Sequence, residues 1–111
     1  MKRGDIYWAR LDPPVGARPV LIVTRTSALV ARLNVTVAPI TTSIREIPSE
    51  VPVGNAEGLA RASVALCDNL TTIPRSKLDP KPVGRLARSR IPELDAAICF
   101  ALGVGFSNVH S

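Results

Sequence analysis

The chain has 111 residues and 46% hydrophobic content, enough for one domain with a real core and too little for two. Its 14 Lys and Arg against 9 Asp and Glu give a formal net charge of +5, which suits RNA or an acidic partner without choosing between them. A disordered basic tail is excluded by the apolar share, no apolar run approaches the ~20 residues of a membrane span, and the opening Met1-Lys2-Arg3-Gly4-Asp5 is unlike a signal peptide, so a cytoplasmic location is expected.

Short strands fill the first two-thirds of the chain. Ile6-Tyr7-Trp8-Ala9 opens one, and Asp12-Pro13-Pro14-Val15-Gly16 ends it because proline cannot continue a ladder. Pro19-Val20-Leu21-Ile22-Val23-Thr24 is nearly continuous and β-branched, as a central strand buried on both faces requires. Asn34 to Ile40 alternates, which predicts one buried and one wet face. Glu50-Val51-Pro52-Val53 reads as an edge strand because of its proline, and Gly54 to Gly58 as a loop. Ser63 to Cys67 is a further strand, with Leu70 to Ile73 following after a bend at Asp68-Asn69, whose side chains are expected to bond their own turn.

From Arg75 to Arg90 the chain carries Arg75, Lys77, Lys81, Arg85, Arg88 and Arg90 against Asp79 alone. That pattern fits a solvated basic face, or contacts to RNA phosphate or an acidic protein segment. Ile91, Leu94, Ile98, Ala101 and Leu102 then recur at helical spacing, with Ser89 as the expected N-cap, Pro92 in the first turn and Gly103 as the stop. The expected fold is therefore mainly β (α+β), a small barrel or curled sheet closed by one C-terminal helix. A single domain over residues 1–104 and a flexible tail over 105–111 are expected.

The chemical inventory is narrow. Cys67 and Cys99 sit far apart in apolar surroundings and read as buried thiols, while the single histidine, His110, is the second-last residue. Zinc sites, Ser-His-Asp triads and paired-histidine ribonucleases do not fit this inventory, so neither metal nor cofactor is expected. Catalysis would run on Arg, Lys, hydroxyls or carboxylates.

Arg3-Gly4-Asp5-Ile6-Tyr7-Trp8-Ala9 with Leu11-Asp12-Pro13, Arg18-Pro19-Val20-Leu21-Ile22-Val23, Val37-Ala38-Pro39-Ile40-Thr41-Thr42, Glu57-Gly58-Leu59 and Ser63-Val64-Ala65, ending in Leu102-Gly103, form one ordered set. Together these stretches resemble the MazF/PemK (Kid) toxins of bacterial type II toxin–antitoxin systems. The resemblance implies an SH3-like, CcdB/PemK-like barrel acting as a homodimer held by a cognate antitoxin, MazE-like or other. It also implies a metal-independent endoribonuclease that cuts single-stranded RNA at short sequences and so blocks translation. Residue by residue, it places catalysis on Arg18 and Thr41. The loop Pro14-Val15-Gly16-Ala17 is shorter than in many family members, so their base preference does not carry over.

The chemistry of such a pair is intelligible by itself. When a ribose 2′-hydroxyl attacks the adjacent phosphorus, negative charge concentrates on the non-bridging oxygens and a 2′,3′-cyclic phosphate forms. A guanidinium fork meets those oxygens in bidentate fashion, and a threonine hydroxyl adds a donor as the charge develops. Asp12 is the candidate proton acceptor, and Thr42 and Ser43 are alternative hydroxyls. Arg75, Lys77, Lys81 and Arg85 are candidate contacts to RNA or antitoxin. Two rival readings share the fold: a non-enzymatic gyrase poison of the CcdB kind, and a plain RNA-binding module.

Overall fold

The β-branched run after Arg18 lies in the middle of a seven-stranded antiparallel sheet. The computed structural model describes residues 1–105. Its strands are β1 (Asp5–Arg10), β2 (Ala17–Ile22), β3 (Asn34–Thr41), β4 (Glu50–Val53), β5 (Ser63–Leu66), β6 (Thr71–Pro74) and β7 (Leu78–Arg85). A short helical turn, α1 (Thr26–Leu29), links β2 to β3, and helix α2 (Ile91–Leu102) follows β7. The spatial order is β4-β5-β3-β2-β1-β7, with β6 paired to the first half of β3. The ladder does not close on itself, so β4 and β7 are edges of a barrel-like, β-dominant fold.

Both faces of the central strands are buried. Leu21 of β2 and Ala38 and Ile40 of β3 join Ile6 and Val51 on one face, where α2 inserts Leu94 and Ala97. Val20 and Ile22 with Val35 and Val37 pack on the other face, against Tyr7, Leu29, Ile73 and Leu78. The buried–wet alternation expected for β3 therefore fails at Val37–Ala38, which are both buried. Successive strand residues point to opposite faces, and β3 has a core on each. β4 is an edge strand, as Pro52 predicts, and Pro52 is exposed.

Two elements escape the sequence pattern. β7 carries Pro80, Pro82 and Gly84 and buries only Leu78, which an edge strand paired solely to β1 tolerates. The turn α1 is a single helical turn with no side-chain cap, too short to show a period.

Helix α2 also departs from expectation at its ends. Ser89 does not cap it. Arg90 occupies that position without a side-chain cap, and Ser89 lies in the 3-10 turn Arg88–Arg90. Gly103 ends the helix in the left-handed conformation, φ 71°. Leu102 points away from the core and is exposed, as is Phe100. Cys67 is buried, and burial pushes its thiol up to about 11, with Asp68 adding to the rise. Cys99 is only half-buried, so the buried-thiol reading holds for one of the two. Residues 106–111, which include His110 and nearly all of the expected tail, lie outside the described residues.

Candidate active site

An open groove of about 330 Å³ crosses the sheet where β1, β2 and β3 meet the loop before β5. Its walls include Trp8, Arg18, Thr41, Thr42, Leu59 and Arg61. Register brings these residues together. Trp8 pairs with Pro19 and Ala9 with Arg18, while Val20 pairs with Pro39 on the other side of β2. Run on by two residues, that antiparallel register sets Arg18 across from Thr41. Residues far apart in sequence thus become neighbours at one end of the sheet.

Thr41 is held in a defined state. Its Oγ1 accepts the Ser43 backbone N–H at 3.1 Å, which leaves the hydroxyl's own proton available as a donor. The segment that follows is pinned by Glu50, whose Oε1 accepts the N–H groups of Arg45 and Glu46 at 2.9 and 3.0 Å. Glu46 adopts φ 58°, a left-handed turn that these two bonds hold in place. The buried Glu50 Oε2 lies 3.6 Å from Arg45 Nε, close enough for charge attraction but not for a hydrogen bond. Asp68 reaches across instead of closing its own turn: its Oδ2 accepts the Ser49 hydroxyl at 2.5 Å.

The opposite wall is the loop carrying Leu59 and Arg61. Glu57, buried just before it, accepts the Gly54 N–H at 2.6 Å and pairs with Arg90 at 3.2 Å. Arg90 also donates to the Pro52 carbonyl at 2.8 Å and to both carboxylate oxygens of Glu93. Hydrogen bonding to Glu93 raises the Arg90 pKa against an opposing effect of burial, and the same bonds lower that of Glu93. Gly58, at φ +93°, and Gly84 pack backbone to backbone, leaving no room for a Cβ on either. The groove wall is therefore clamped to β7 and to the start of α2.

The candidates from sequence separate in space. Arg18, Thr41 and Thr42 share the groove, and Ser43 contributes through its backbone. Asp12 is not brought to the groove. It is almost fully exposed, with Lys77 Nζ at 3.9 Å. Arg75 donates instead to the Leu29 carbonyl and so closes the end of α1. Lys81 is exposed on β7, and Arg85 borders a different cavity.

Of Tyr7 and Trp8, which strand alternation places on opposite faces so that at most one can touch RNA, Trp8 lines the groove, and Arg61 joins it. The contrast between Tyr7, which is buried with its pKa raised by that burial, and the exposed Trp8 follows the strand alternation. Arg61 gives no sequence signal beyond a cation beside Glu57-Gly58-Leu59. Among the described residues no three His, Cys, Asp or Glu side chains gather as a metal site would need.

Comparison with known proteins gives a consistent result. The family model described as PemK-like, MazF-like toxin of type II toxin-antitoxin system matches residues 2–102. Endoribonuclease MazF3 of Mycobacterium tuberculosis is 47% identical over 93 residues, covering 84% of this chain and 86% of that protein. Endoribonuclease EndoA of Bacillus subtilis is 30% identical over 112 residues, covering 94% and 96%. Among solved structures, the Mycobacterium tuberculosis toxin MazF-mt6 superposes with a TM-score of 0.85 at 43% identity, covering 92% of this chain and 99% of that one. A mycobacterial endoribonuclease in complex with its cognate antitoxin gives 0.81 at 27% identity, covering 96% and 98%.

Proposed function

The chain belongs to the PemK-like, MazF-like toxins of type II toxin–antitoxin systems, and from that membership we propose how its groove works. It is an endoribonuclease whose growth-inhibiting activity is held by a cognate antitoxin, and its working form is a homodimer. The endoribonuclease names of its relatives favour this reading over a gyrase poison. Cytoplasmic single-stranded RNA is the proposed substrate, cut at short sequences.

One observation carries the assignment to residues: Arg18 and Thr41 share one open groove. The RNA phosphate sits there with its non-bridging oxygens toward the Arg18 guanidinium, which offers parallel N–H donors. The ribose 2′-hydroxyl gives its proton to water and its oxygen attacks phosphorus as the P–O5′ bond breaks; O5′ takes a proton from water, leaving a 2′,3′-cyclic phosphate and a free 5′-hydroxyl. Thr41 donates a hydrogen bond to the oxygen on which charge grows. The exposed Trp8 indole offers a face on which a flanking base stacks, and Arg61 supplies a second cation.

Metal-free cleavage tests this reading. Purified protein incubated with long single-stranded RNA in EDTA is expected to make discrete cuts with cyclic-phosphate and 5′-hydroxyl ends. Intact RNA, or ends carrying a 5′-phosphate, would overturn it.

A further inference from the structure

A second cavity, of about 480 Å³, opens between the chain start, the end of β7 and the start of α2. Lys2, Arg3, Asp5, Thr26, Arg85 and Arg88 line it. Arg3 is spent internally, donating to Asp95 at 2.6 Å and to the Val23 carbonyl at 2.8 Å. Lys2, Arg85 and Arg88 are exposed and form no ion pair among the described residues. Three unpaired cations around one concavity repel each other, and an anion placed between them relieves that repulsion.

We propose that this cavity binds a backbone phosphate of the RNA strand away from the cut site, which makes it a second anchor for the substrate. The proposal rests on the endoribonuclease reading and extends it. Leu86 and Ile91 supply an apolar floor, and four of the six polar side chains around it are cationic. Thr26 Oγ1 accepts the Arg3 backbone N–H at 3.0 Å and keeps its own proton to give. The one carboxylate, Asp5, takes the Lys2 backbone N–H at 2.8 Å. A phosphodiester brings acceptors only, and two guanidinium forks match its oxygens. An acidic peptide would also bring backbone N–H groups, for which Asp5 and Thr26 are the only acceptor side chains in the lining.

The test is binding of single-stranded 2′-O-methyl RNA, which lacks the attacking hydroxyl and stays whole, by the full chain across a salt series. Arg85→Ala and Arg88→Ala are each expected to weaken binding roughly tenfold. Each is also expected to make the slope of log affinity against log salt shallower by about 0.7 for every phosphate that is no longer neutralised. Arg32→Ala, which removes an exposed charge beyond α1, should change neither as much.

Wild-type affinity and slope in both cavity variants, at matched melting temperature, would overturn the proposal. So would unchanged RNA binding together with lost binding of a poly-glutamate peptide, which would assign the cavity to an acidic protein segment. Because the probe is never cut, a protein that binds it through Arg85 and Arg88 but cleaves no natural RNA would overturn the endoribonuclease reading and leave the anchor standing.

Discussion

In the proposed reaction Arg18 and Thr41 divide the work at the groove by chemistry: one offers a fixed charge, the other a single hydrogen-bond donor. Losing one directed donor typically costs about 100- to 1,000-fold in rate, and that is the expected loss for Thr41→Ala under single-turnover conditions. Thr41→Ser keeps the donor and should recover most of the rate, whereas equal loss in both variants would show that the hydroxyl is not used. Trp8→Ala should raise KM more than it lowers kcat, because stacking holds substrate and transition state alike. Cys67, buried and with its thiol pushed up to about 11, should resist alkylation in native protein at neutral pH and react on unfolding. That Arg18 and Thr41 belong to one site is legible only through the family resemblance carried by Arg18-Pro19 and Pro39-Ile40-Thr41, and the groove brings the two together. Asp12 lies outside the groove, because a place at the loop entry does not fix where an exposed carboxylate points.

The elements matter here through what they clamp. Strand periodicity reveals β1 to β6 because each pairs a β-branched run with a turn signal, but β7 hides behind two prolines, a glycine and surface cations. Its place becomes intelligible only in three dimensions, where Gly84 receives the backbone of Glu57 and Gly58. Gly84→Ala therefore overpacks that approach, and a destabilisation of about 1–3 kcal/mol is expected in denaturant melts. The Ser89 cap fails for a related reason: Arg90 serves Glu57, Pro52 and Glu93 at once and fixes the start of α2 by that clamp. Glu93 has its pKa lowered by Arg90, so it stabilises the fold above the ordinary glutamate value of about 4.3 and loses that contribution as pH falls through the lowered value. The melting temperature of the wild type should accordingly fall more steeply below about pH 4 than that of Glu93→Gln. Parallel curves would dismiss the clamp as a source of acid sensitivity.

At the scale of the whole molecule, two cores lie back to back across the central strands. β2 and β3 are buried on both faces, so the strand ends that carry Arg18 and Thr41 are set by packing on two sides. The sequence pattern of β3 points to a single core, because alternation shows that a strand is half-buried but not that its other half meets a second layer. The net charge of +5 is spread over surfaces that do different things, which composition alone does not separate. Catalysis in the groove is tested most sharply by the single-turnover rate of Arg18→Ala on a mapped RNA in EDTA, beside the wild type at matched melting temperature. Discrete cleavage by the wild type, and none above background by the variant, is the expected result. Cleavage by Arg18→Ala at the wild-type rate would contradict the assignment of catalysis to this groove.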